Sequence, residues 1–266
     1  MMLNATRSEI VRTRRKGAVA AWFGLTALFA VMMFFAFFTF VDSAEGAPER
    51  GPGVTFPSVE TLTSPEGIVA PLASASSMFG IIALAFWALF TASDYSTGMI
   101  RLLAAAQPTR WKLVVGKVLA LLMWTAVAAT VALLATFIVA PAASASTSLD
   151  ISAWQDVTVA IVAQAWVNVC VSMTIWGAIG MVLATITRSA AVAISIGAGW
   201  VLIVEGVLAV IVPDIADWLP GSTIAAIASG GTDALSYGAA LSLGAVYLAL
   251  CLGGTLAVYQ KRDITD

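Results

Sequence analysis

The sequence predicts an all-α integral membrane protein of six transmembrane helices with both termini in the cytoplasm. Three observations carry that prediction. Hydrophobic residues make up 60% of the 266 residues and charged residues 11%, with a mean hydropathy of +0.96; a soluble domain carries about 25% charge. Six apolar runs are each long enough to cross about 30 Å of hydrocarbon at 1.5 Å per residue. This threading also gathers 12 of the 13 Lys and Arg residues on one side and leaves only Arg50 on the other, the asymmetry that marks cytoplasmic loops. The whole chain, 1–266, reads as one transmembrane domain.

Residues 1–16 carry Arg7, Arg12, Arg14, Arg15 and Lys16 against a single acid, Glu9. Leu3, Ile10 and Val11 add a weak apolar face, so this cytoplasmic segment is either a short helix lying at the membrane surface or a basic tail. The first span is 17–41, 25 uncharged residues, longer than the apolar core of about 7 to 15 residues in a cleaved signal peptide. From 42 to 70 the chain is rich in Pro and Gly, and Asp42, Glu45, Glu49, Glu60 and Glu66 face only Arg50. That is an external loop. The second span is 71–92 and the third 113–140, with Lys117 close enough to its end to snorkel toward water. A Ser- and Ala-rich loop, 141–156, precedes the fourth span, 157–186, which exceeds what a bilayer requires and is expected to tilt. Thr187 to Ser189 turn tightly into the fifth span, 190–212. The loop 213–236 holds Asp214, Asp217 and Asp233 with no base. It contains a Pro220-Gly221 start followed by helix-compatible residues, either a helix that dips back toward the membrane or an ordinary loop. The sixth span, 237–259, ends in Lys261 and Arg262.

Several chemistries are excluded. The chain has no His, which removes imidazole bases and His-ligated metals. Cys170 and Cys251 both lie in apolar runs, where they serve as small hydrophobes. Nothing in the charge pattern points to nucleic acid. Gly116-Lys117 invites a phosphate-loop reading, but that motif needs Gly five residues before this pair's glycine and Ser or Thr after the lysine. Trp111 and Val118 stand there, so the chain has no nucleotide site of its own.

The segment between spans two and three organises the rest. Ser93 to Ala120 lies between apolar runs yet holds Asp94, Arg101, Arg110, Lys112 and Lys117, and such a segment should sit in water. Met99, Leu102, Leu103 and Ala106 recur at i, i+3, i+4 and i+7, one face of a short amphipathic helix with Arg101 opposite. Ser93 or Asp94 can cap its start, and Pro108 ends it. The order Asp94, Gly98, Arg101-Leu102-Leu103, Pro108, Arg110, Gly116-Lys117 resembles the second intracellular segment of ATP-binding-cassette (ABC) transporter permeases of the type-2 export family. Asp94 stands where that family more often has Glu, and Met99 follows Gly98 where Thr is usual.

The resemblance implies that residues 93–112 form a coupling helix docking on a separate ABC-type ATPase subunit. Asp94, Gly98, Arg101, Leu102, Leu103, Pro108, Arg110 and Lys117 are its coupling residues. Two copies of that ATPase would carry ATP and Mg, none bound by this chain. A second permease copy, identical or related, would complete the transporter. It would export an amphipathic compound such as a drug, antibiotic, peptide or lipid from a bacterial inner or plasma membrane. No residue of this chain acts as a catalyst.

Two features inside the membrane compete for attention. Glu205 is the ionisable residue at bilayer depth, where a charge costs about 2.5 to 3.5 kcal/mol. It meets a cationic or polar substrate, shapes a gate that hydrates on outward opening, or accepts hydrogen bonds from a neighbouring helix. Gln164, Asn168 and Ser172, at i, i+4 and i+8, form a polar stripe on the fourth span, a substrate path or glue between helices. The alternative function built on Glu205 is a stand-alone ion-coupled secondary transporter or channel. Gly177, Gly180 and Ala184 permit a close helix contact or a dimer seam.

Overall fold

The computed structural model describes residues 2–41, 50–51, 54–55, 57–99, 102, 110–145 and 149–261. An N-terminal helix, α1 (Met2–Thr13), is followed almost at once by α2 (Lys16–Val41). A two-residue antiparallel pair, β1 (Arg50–Gly51) with β2 (Val54–Thr55), and the short helices α3 (Val59–Thr63) and α4 (Ala70–Ser74) lead into α5 (Ser76–Ser96). Then come α6 (Arg110–Ser144), a 3-10 turn at Ser152–Asp156, and α7 (Val159–Thr187). The next membrane-length run is broken into α8 (Ala190–Gly199), a π-helical turn (Trp200–Val204) and α9 (Glu205–Ile211). Two short helices, α10 (Pro213–Ala216) and α11 (Pro220–Ala228), precede α12 (Tyr237–Lys261). Among the described residues six helical stretches are long and apolar enough to cross a membrane.

The two central helices are α5 and α7, with 67% and 61% of their apolar windows buried, against 11% for the α8–α9 run and for α12. Their contact is reciprocal. Trp87 of α5 lies over Gly177 of α7, where an added Cβ would stand 2.6 Å from the indole, and Trp176 of α7 lies over Gly80 of α5. Both indoles are fully buried, and Trp87 Nε1 donates to Thr125 Oγ1 of α6 at 3.1 Å. Small residues therefore serve the contact between two spans of one chain, as expected where lipid gives no hydrophobic drive and close packing must supply the attraction. Around this pair α2 stacks Trp22 on Phe86, ring centroids 3.6 Å apart.

The bundle has a basic end and an opposite end. At the opposite end Phe34, Phe38, Leu62 and Trp154 form a second cluster, and Trp154 Nε1 donates to the Leu62 carbonyl at 2.8 Å. That bond joins the segment before α4 to the 3-10 turn before α7. Thr158 caps α7 by accepting from Ile161 N, and Ser189 caps α8 by accepting from Val192 N. Between these two helices lie Arg188 and Ser189, and Arg188 makes the corner with a φ of 55°.

Several boundaries differ from the sequence reading; the second span, expected over 71–92, starts at Ser76 after the separate short helix α4. Helix α5 continues through Ser93 and Asp94 to Ser96, so neither residue caps a following helix. Helix α6 runs through Pro141 to Ser144 rather than stopping at residue 140. Pro141 sits in its last turn, where losing one N–H costs little ladder. The fifth run is not one continuous α-helix, because the N–H of Glu205 reaches back five residues to the Trp200 carbonyl.

Candidate functional site

At the basic end, four charged side chains from three helices close into a ring. Glu9 and Arg12 come from α1, Asp94 from the last turns of α5, and Lys117 from the third turn of α6. Lys117 Nζ lies 2.7 Å from Asp94 Oδ2 and 3.3 Å from Glu9 Oε2. Arg12 Nη1 lies 2.6 Å from Glu9 Oε1, and Arg12 Nη2 pairs with Asp94 Oδ1. Each cation thus bridges both carboxylates, and each carboxylate uses both oxygens. Glu9 and Asp94 are 3% exposed and Lys117 is 4% exposed. Such burial is tolerable because the set is neutral and every oxygen is paired.

The local sequence explains the arrangement. Glu9 and Arg12, three residues apart, share one side of α1. Thr13, one turn beyond Glu9, accepts from Trp124 Nε1 of α6 at 2.9 Å and donates to the Glu9 carbonyl at 2.8 Å. Lys117 Nζ adds a bond to the Phe90 carbonyl at 3.4 Å. A pocket of about 90 Å³ opens beside the ring, lined by these side chains with Thr97 and Met99. Just past Asp94 the chain leaves α5 through Gly98, whose φ of 67° costs a residue with a Cβ roughly 1 to 2 kcal/mol. Thr97 N donates to the Ser93 carbonyl and Gly98 N to the Tyr95 carbonyl, the usual way a left-handed glycine closes a helix.

Two expectations change here. Ser93 to Ala120 does not lie wholly in water, since Asp94 and Lys117 are inside the ring. Lys117 does not snorkel; its ammonium is held by Glu9, Asp94 and a carbonyl. Of the other coupling residues, Leu102 is 66% exposed, while Arg101, Leu103 and Pro108 lie outside the described residues. So do Ala106, the rest of the expected amphipathic helix, and the side chain of Arg110, which begins α6. Glu9 and Arg12 were not singled out from sequence. The signal was present, because Glu9 is the lone acid in a basic run and stands three residues from a base.

At the opposite end, the intramembrane polar residues meet α11 and the start of α12. Glu205 is 9% exposed, and its Oε1 accepts from Trp200 Nε1 at 2.7 Å and from the backbone N–H of Gly221 at 2.9 Å. Gly221 is in the first turn of α11, behind Pro220, where a carboxylate complements the helix dipole. An added Cβ on Gly221 would collide with that carboxylate. Ser172 donates to the Ile224 carbonyl of α11 at 3.4 Å, and Asn168 Oδ1 accepts from Tyr237 Oη at 2.6 Å. Tyr247 of α12 donates to the Trp218 carbonyl just before α11. Ile224 and Ile227 of α11 are fully buried. Gln164 does not join this group; it is exposed, one turn nearer the start of α7. Asn168 and Ser172 are therefore joints between helices, and Glu205 moors α11.

Among the described residues no group of Cys, Asp and Glu has the arrangement of a metal site. What the basic end can do is mechanical: it ties α1, α5 and α6 into one unit beside the segment that leaves α5 at Gly98. The family model described as ABC-2 family transporter protein matches residues 8–237, from within α1 to the first residue of α12. Among curated proteins, none matches the chain.

Proposed function

Because the chain belongs to the ABC-2 transporter family, a family of multi-pass membrane permeases, we propose that it is the transmembrane subunit of an ATP-driven exporter. Two copies of a separate ATPase subunit dock at the basic end, which faces the cytoplasm, and carry ATP and Mg. A second permease, identical or related, completes the pathway, and the cargo is an amphipathic compound. The observation that carries this reading is the buried ring of Glu9, Arg12, Asp94 and Lys117. A push on the segment between Gly98 and Arg110 reaches Asp94 within one turn of α5, and from there α1 and α6 without passing through a flexible joint. Asp94 and Lys117 act as internal anchors in this scheme, while Arg101, Leu102 and Arg110 supply the docking contacts.

The external end follows the same logic. Glu205 and Ser172 hold α11 as an outer plug that dips back between the spans, Asn168 ties the neighbouring start of α12, and opening the pathway moves the plug.

The test is gentle purification of the chain from its native membrane, followed by identification of what accompanies it. The expected result is a co-purifying ATPase that is lost in the Arg101→Ala/Arg110→Ala variant while the permease keeps its thermal unfolding temperature. A folded wild-type chain that transports with no ATPase present would overturn the proposal and favour an ion-coupled transporter.

A further inference from the structure

Helix α1 has two faces, and the ties to α5 and α6 use only one. Glu9, Arg12 and Thr13 point inward and are held by α5 and α6, so the rotation of the helix is fixed. At 100° per residue, Arg7, Val11 and Arg14 fall within a stripe of roughly 60° on the other side. Arg14 belongs to the same helical turn, since its N–H donates to the Ile10 carbonyl at 3.1 Å. All three side chains are exposed, Val11 to 69%. Among the described residues no carboxylate pairs with Arg7 or Arg14, and the one acid of α1 is locked on the inner face.

We propose that this outer face, Arg7–Val11–Arg14, binds the headgroups of anionic phospholipids. The height of the helix argues for lipid. Span α2 begins at Lys16, three residues after α1 ends, so the last turn of α1 lies within about 10 Å of the point where the chain enters the hydrocarbon. The helix is fastened to α6 at Lys117 and Trp124. Arg110, the first residue of α6, stands seven residues before Lys117, so roughly 10 Å along that helix from the level at which α1 is fastened. An exposed valine flanked by two guanidinium groups suits the polar–apolar boundary: the valine enters the acyl region and each arginine takes a phosphate through paired N–H donors. Each base near an anionic surface strengthens association about fivefold.

The test titrates the detergent-solubilised full-length chain with phosphatidylglycerol and, separately, with phosphatidylcholine, counting bound lipids by native mass spectrometry. Wild type is expected to prefer phosphatidylglycerol, and Arg7→Ala/Arg14→Ala to lose roughly tenfold or more of that preference. Arg7→Lys/Arg14→Lys is expected to retain most of it. Val11→Glu, a change at an exposed position that cannot empty the core, gives a second route to the same loss should the double variant fail to fold. Equal binding of the two lipids by wild type, or an unchanged preference in both Arg7→Ala/Arg14→Ala and Val11→Glu, would overturn the assignment. Loss of a co-purifying ATPase in those variants with lipid preference intact would also overturn it and give the face to that partner.

Discussion

The two ends of the bundle solve the problem of a buried carboxylate in opposite ways. At the basic end, Glu9 and Asp94 are neutralised by Lys117 and Arg12, so the ring carries no net charge. At the other end no cation among the described residues pairs with Glu205, which accepts from an indole N–H and one backbone N–H at a helix start. The first arrangement is strong and brittle, since removing any member strands a buried charge. The second is weaker and tolerant, because neutral donors can be exchanged for water when the groups separate. A joint meant to transmit force suits the first kind, and an element meant to move suits the second.

That contrast can be broken by measuring unfolding in detergent. Lys117→Met leaves two buried carboxylates sharing one arginine and should cost about 3 to 5 kcal/mol; adding Glu9→Gln should recover a large part. A loss under about 1 kcal/mol would mean the ring is not the joint described. Gly177→Ala drives a methyl group into the Trp87 ring and should cost about 1 to 3 kcal/mol through overpacking, with no dependence on salt or pH. Glu205→Gln keeps one carbonyl acceptor for Trp200 and Gly221, and should cost only about 1 kcal/mol. Its effect should be concentrated in the accessibility of a cysteine placed on α11, and a cost as large as that of Lys117→Met would erase the distinction between the ends. Tyr237→Phe removes one interhelical bond to Asn168, and about 0.6 kcal/mol is expected, near the limit of what a thermal scan resolves.

Much of the architecture was legible because hydrocarbon imposes it. A helix must be apolar over about 20 residues to cross, so the six spans are written locally in the composition. The end of a span is written less clearly. Asp94 reads as the first residue in water, yet α5 carries it inside because its partners arrive from α1 and α6, 82 and 23 residues away in sequence. Periodicity identified the face shared by Asn168 and Ser172, but not that Gln164 lies beyond the neighbouring helices. Glu205 stood out by its charge alone; that it moors α11 depends on the Gly221 N–H, 16 residues away in sequence, a pairing that composition does not announce. Gly221 became visible as necessary only once the carboxylate facing it was known.

The length of α6 gives the ring one more consequence. The helix has 35 residues, seven before Lys117 and 27 after it, about 10 Å and 40 Å at 1.5 Å per residue. It is fastened to α1 and α5 by ion pairs at Lys117 and again by hydrogen bonds at Trp124 and Thr125, so in the proposed coupling the fulcrum of this lever is the stretch from Lys117 to Thr125. If α6 pivots about that stretch as a rigid rod, a displacement of about 1 Å at Arg110 becomes roughly two- to fourfold larger, and opposite in direction, at Ser144. In the proposed coupling a small thrust on the short arm is thereby geared into a wider excursion at the far face of the bundle.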